Sequence, residues 1–141
     1  MNNIIFEKVW EDSGVTELKI TAISEFVTAY QNCYIADEDL EEIAEKINKY
    51  SKSYDYDCYV EFGKKKGNYT PAFSMKVLKV DDFGKMKIEV DIEVEDIKDR
   101  SHRCCYYVEG DLGAIERLGK NLKNVIKADI GYKISLYSDE I

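Results

Sequence analysis

Hydrophobic and polar positions alternate most strictly between Met86 and Glu95. Met86, Ile88, Val90, Ile92 and Val94 take one phase, and Lys87, Glu89, Asp91, Glu93 and Glu95 take the other. Successive side chains of an extended chain point to opposite faces. The pattern therefore predicts a strand with one face on a core and one in water. A helix would spread the same residues around its circumference. The preceding run, Ala72 to Val80, is joined to it by Asp81-Asp82-Phe83-Gly84. Pairing Val80 with Lys85 across that loop sets Val77 opposite Ile88, Met75 opposite Val90 and Phe73 opposite Ile92, with Lys76 opposite Glu89 on the other face. A slip of one residue would put Lys76 opposite Val90 in the core, leaving an ammonium unpaired among apolar groups. The first register is expected, because it pairs apolar with apolar and opposite charges with each other.

The same period recurs along the chain. Asn3 to Trp10 reads as a strand with Ile4, Phe6 and Trp10 on one face and Ile5 and Val9 on the other. Asp12-Ser13-Gly14 is a turn signal, and Val15 to Ala22 resumes the alternation, so the two runs predict a hairpin. Further strands are expected at 24–34, 56–62, 103–109 and 131–137. Two stretches change the period. Leu40, Ile43, Ala44 and Ile47 recur at helical spacing and predict a helix at about 38–51, with Asp37 as its N-cap. Leu112, Ile115, Leu118, Leu122, Val125 and Ile126 predict a second helix at about 111–127. Gly119 lies beside that second stripe. A glycine there costs about 1 kcal/mol relative to alanine, which suggests a close approach of the helix to the sheet.

The resulting order is β-β-β-α-β-β-β-β-α-β. Hairpins and short loops dominate, so the expected fold class is α+β: one curved, mainly antiparallel sheet of about seven to eight strands with two helices packed on it. No repeat, linker or boundary divides the chain, and residues 1–141 read as a single domain.

With 45% hydrophobic and 34% charged residues the chain can fold around a substantial core. Its net charge of -8 disfavours nucleic acid and anionic membranes as partners and favours a basic one. The first ten residues show no secretory leader pattern, and no apolar run approaches the ~18 residues that span a bilayer. A cytoplasmic protein with Cys33, Cys58, Cys104 and Cys105 reduced is the expectation.

Recognisable catalytic and metal-binding patterns are missing. His102, the sole histidine, lies near Cys104 and Cys105, but neighbours in a strand point to opposite faces, so at most one could join it. No C-x-x-C pair suggests zinc and no glycine-rich loop suggests a phosphate cradle. No catalytic, cofactor or metal residues are assigned. Lys64-Lys65-Lys66 reads as a solvated loop. Tyrosines outnumber phenylalanines 11 to 5, with Tyr54, Tyr56 and Tyr59 together and Tyr106 beside Tyr107. They suit half-buried strand positions, or an interface between copies of the chain. Both a monomer and a homodimer stay open.

Two acidic concentrations remain as candidate partner-binding surfaces. One is the first helix, with Glu38, Asp39, Glu41, Glu42 and Glu45. The other is the run from Glu89 to Asp99, of which Glu89, Asp91 and Glu93 share the outer face of one strand. Both also read as ordinary solvated faces. Arg117, Lys120, Lys123 and Lys127 gather on the second helix instead.

Three stretches carry a resemblance: F-V-T-A-Y-Q-N-C-Y-I-A-D-E-D-L-E-E-I (26–43), D-D-F-G-K-M-K-I-E-V (81–90) and E-G-D-L-G-A-I-E-R-L-G-K-N-L (109–122). In apolar spacing and turns, roughly residues 15–137 resemble the WapI-like group of small bacterial immunity-type proteins. No functional motif transfers residue by residue. The resemblance implies a non-enzymatic protein that protects a toxin-producing cell by stoichiometric docking to a cognate toxin, often a basic nuclease. The alternatives are a small-molecule-binding module or enzyme using the concave face of the sheet, and a subunit of a homo-oligomer.

Overall fold

The computed structural model describes residues 2–53, 56–63, 72–94 and 102–138. The Lys64-Lys65-Lys66 loop, Tyr54 and the distal half of the acidic run, Glu95 to Asp99, lie outside the described residues. The elements follow the order read from the sequence: β1 (Asn3–Asp12), β2 (Val15–Ile23), β3 (Thr28–Ala36), α1 (Asp37–Lys52), β4 (Cys58–Phe62), β5 (Ala72–Val77), β6 (Lys85–Val94), β7 (His102–Asp111), α2 (Leu112–Val125) and β8 (Lys133–Ser135).

The strands do not form one curved sheet. They form two four-stranded antiparallel sheets, ordered β3-β2-β1-β8 and β4-β5-β6-β7. Alternation shows that every strand has one apolar face, and folding the set in half buries both faces against each other. The helices supply the two crossings: α1 carries the chain from the first sheet to the second, and α2 returns it so that β8 pairs with β1. Phe6 of the first sheet meets Phe62 of the second with ring centroids 5.4 Å apart. The Tyr106 hydroxyl donates to the Ala22 carbonyl at 2.6 Å, tying the sheets together. α1 packs on β3 and β4, α2 on β7 and β8, and the helices on each other, so one core is shared by all the layers.

The β5–β6 register is the expected one: Phe73 pairs with Ile92, Met75 with Val90, Lys76 with Glu89 and Val77 with Ile88. The ladder stops at Val77. Beyond it Leu78 N–H still reaches the Lys87 carbonyl at 3.0 Å, but Asp81 rather than Val80 takes the Lys85 carbonyl, at 2.8 Å. The first hairpin turns on Ser13 and Gly14, at φ 45° and 83°. That pair of left-handed residues matches the twist of the flanking strands.

Trp10 corrects the first strand. Lys8 pairs with Leu18, but Trp10 pairs with Glu17, so a bulge at Val9 reverses the facing of everything beyond it. Trp10 thus joins Glu17 on the open side instead of Ile4 and Phe6 in the core. Lys8 keeps the inward phase and is fully buried. Its ammonium donates to the carbonyls of Val125, Ile126 and Ala128 at 2.9–3.0 Å and meets the Glu11 carboxylate at 2.5 Å. A lysine from β1 therefore closes the C-terminal end of α2, where unpaired carbonyls and the negative end of the helix dipole favour a cation.

Gly119 marks a contact between helices rather than with a sheet. A Cβ there would lie 2.4 Å from Asn48 Oδ1 and 3.0 Å from Ile47 Cγ2. Asn48 also donates to the Gly119 carbonyl at 3.4 Å. Asp37 is the first residue of α1 and not its N-cap. The cap position is Ala36, without a side-chain bond, and the Asp37 carboxylate accepts from Thr16 Oγ1 at 2.9 Å. α2 does have an acidic cap, since Asp111 accepts from Ala114 N–H at 2.9 Å.

Candidate functional site

The first acidic surface is held as its periodicity requires. Leu40, Ile43, Ala44, Ile47 and Tyr50 bury one side of α1. Glu38, Asp39, Glu41, Glu42 and Glu45 are then all exposed on the remainder. Tyr50 anchors the far end of the helix: its hydroxyl donates to the Leu78 carbonyl at 2.9 Å, and burial pushes its pKa up to about 12. Glu45 faces Lys123 of α2 at 3.9 Å. The first two turns carry the bulk of the negative charge, and Lys46, Lys49 and Lys52 follow only in the second half. Carboxylates three and four apart, such as Glu38 with Glu41 and Glu42, repel one another on a helix surface. The positive end of the helix dipole offsets part of that repulsion.

The second acidic surface differs from its sequence reading. Glu89, Asp91 and Glu93 do share the outer face of β6, but cross-strand neighbours engage them. Arg103 of β7 grips Asp91 through Nε at 3.0 Å and through its terminal nitrogen at 2.5 Å, and Asp91 is only 8% exposed. That contact holds the guanidinium firmly protonated. Glu89 accepts from the Tyr107 hydroxyl at 3.1 Å and lies opposite Lys76. The row is a mixed-charge lattice of cross-strand pairs, with Asp91 withdrawn into it.

The tyrosines divide between structure and surface. Tyr106 links the two sheets, and burial raises its pKa to about 12. Tyr137 donates to Asp111 at 2.8 Å; burial, with that carboxylate second, pushes its pKa up to about 12. Burial acts to raise the pKa of Asp111, but the bonds from Ala114 N–H and Tyr137 outweigh it and hold the carboxyl below its ordinary value. Tyr56, Tyr59 and Tyr107 are partly exposed.

A feature the sequence reading missed lies on the open side of the first sheet. Trp10, Glu17 and Tyr34 form one row across β1, β2 and β3. The two rings meet edge to face, centroids 5.7 Å apart, with Trp10 41% and Tyr34 52% exposed. Glu17 accepts from Asn32 Nδ2 at 3.0 Å. Two residues along β3, Tyr30 carries the Lys19 ammonium 4.7 Å above its ring. The signal was hidden because the bulge at Val9 breaks the alternation that had assigned Trp10 to the core.

The inner faces of both sheets are filled by the shared core, with Phe6, Phe62, Phe73 and Met75 fully buried between them. A groove of about 760 Å³ lies instead at one end of the sandwich, lined in part by Lys79, Lys85, Lys87, Asp81, Glu109 and Tyr137. Cys33 and Cys58 are buried, and burial raises the Cys58 thiol pKa. Cys105 is exposed while Cys104 packs toward the core. Among the described residues no cluster of histidine, cysteine and acidic side chains is arranged to hold a metal ion, and no helix is long and apolar enough to cross a membrane. Comparison of the chain with protein-family models, characterised proteins and solved structures finds no match.

Proposed function

We propose that this protein is a non-enzymatic binding module that docks a basic protein partner, in the manner of an immunity protein toward its toxin. The observation that carries the reading is the first two turns of α1. Their carboxylates are exposed on a helix whose opposite face is locked into the core, so they present a fixed negative field. Such a field gains little for folding, because like charges on one helix face repel. It speeds encounter with a positively charged surface and favours the correct orientation. The β6 row contributes less, since Asp91 is already held by Arg103.

The test is affinity capture from the native cell, followed by association kinetics with the recovered partner. A basic protein bound one to one is expected. Reversing Glu41 and Glu42 to lysine should slow association by about tenfold at low salt, and added salt should shrink the difference. An on-rate unaffected by the reversal would remove α1 as the docking surface.

A further inference from the structure

We propose that the open face of the first sheet at its hairpin end is a receiving site for an arginine side chain of a basic protein partner. This rests on the function proposed above and extends it to a second, adjoining surface. Three observations carry it. Trp10 and Tyr34 are held edge to face and half exposed on a sheet face, where strands fix their backbones. Large, rigid aromatic groups of this kind dominate binding energy at protein interfaces. The residue between them in the row is a carboxylate, Glu17, and Asp12 follows on the same face at the turn. An aromatic face beside a carboxylate matches a guanidinium, which stacks flat on the ring while its N–H groups reach the acid.

The third observation is that this face already uses the same chemistry internally. Lys19 lies over Tyr30, whereas among the described residues no cation lies over Trp10 or Tyr34. The row also adjoins the acidic helix. Asp37 N–H donates to the Gly14 carbonyl at 2.9 Å, which places the start of α1 beside the turn bearing Asp12. A partner drawn in by Glu38 to Glu42 would thus meet Trp10, Glu17 and Tyr34 next.

Trp10 is the sole tryptophan, so its fluorescence reports directly on the site. The intact chain would be titrated at low salt with an arginine-rich peptide and with a lysine-rich peptide of equal length and charge. The arginine peptide should change Trp10 emission saturably and bind about threefold or more tightly than the lysine peptide, as stacking on an exposed ring implies. Tyr34→Ala and Glu17→Gln should each erase that preference, whereas Tyr34→Phe should retain it. Circular dichroism of each variant confirms that the fold is kept. Equal affinity for the two peptides with unchanged emission, but binding still lost on reversing Glu41 and Glu42, would overturn this site and leave the acidic helix standing. Failure of both peptides to bind would overturn the site together with the charge-driven docking it rests on.

Discussion

Gly119→Ala offers a sharp test of the helix crossing, because two physical effects pull in opposite directions. In an isolated helix interior alanine is favoured over glycine by about 1 kcal/mol. Here the new methyl would sit 2.4 Å from Asn48 Oδ1, 3.1 Å from Asn48 Cγ and 3.0 Å from Ile47 Cγ2. Asn48 can swing its amide away, giving up its 3.4 Å bond to the Gly119 carbonyl. Ile47 cannot respond so easily, since a β-branched side chain in a helix has one favoured rotamer and this one is fully buried. Overpacking of a buried contact costs about 1–3 kcal/mol. The balance is a net destabilisation of about 1 kcal/mol, or roughly 3–5 °C in Tm for a chain of this size.

Urea unfolding followed by circular dichroism measures this. Repeating the substitution in an Asn48→Ala background separates the terms, because that change removes two of the three close contacts. The alanine should then cost less or turn favourable, with a coupling of about 1 kcal/mol between the positions. If Gly119→Ala alone raised stability by the full propensity difference, the close crossing of α1 and α2 would be refuted.

The anchors at Lys8 and Asp111 can be tested in the same way. Lys8→Met should cost about 3 kcal/mol in urea unfolding, because it strips a buried cation from three carbonyls, of which, among the described residues, Val125 alone keeps a bond, from the Ala128 N–H; amide exchange should quicken in the last turn of α2. Glu11→Gln should change stability by less than about 1 kcal/mol, since Glu11 is half exposed, and a loss matching that of Lys8→Met would contradict this account. Asp111→Ala should cost about 1 kcal/mol at neutral pH through the lost cap. The Asp111 carboxyl titrates lower in the folded state than in the unfolded chain, so its contribution is full above the ordinary carboxylate pKa and fades as pH falls through the folded value. The variant should therefore lose stability less steeply than the parent on acidification below about pH 4, and parallel acid profiles would show that the cap carries no such linkage.

Much of the local structure was legible because it depends on period alone. The β5–β6 register follows from keeping Val77, Met75 and Phe73 on one side and Lys76 beside Glu89. The α1 stripe likewise determines that Glu38, Asp39, Glu41, Glu42 and Glu45 face outward, whatever the helix packs on. What period cannot reveal is the partner of each apolar face. Eight half-apolar strands can curl as one sheet or stack as two, and the choice depends on where α1 and α2 carry the chain. The same holds for Gly119, whose neighbour proved to be a helix, and for Asp91, whose charge is taken by an arginine on another strand.

The aromatic row shows the limit most directly. One extra residue at Val9 moves Trp10 from the core phase to the open face beside Glu17 and Tyr34, while Lys8 keeps the inward phase and closes α2. A bulge leaves almost no mark in the order of residues, because it is selected by pairing with a neighbouring strand. The sequence by itself determined which segments alternate, which coil, and where the charge lies. Only the tertiary structure decided that Asp91 is taken up by Arg103, which rings stand beside Glu17, and how a lysine comes to be buried, because each depends on groups from different elements of the fold.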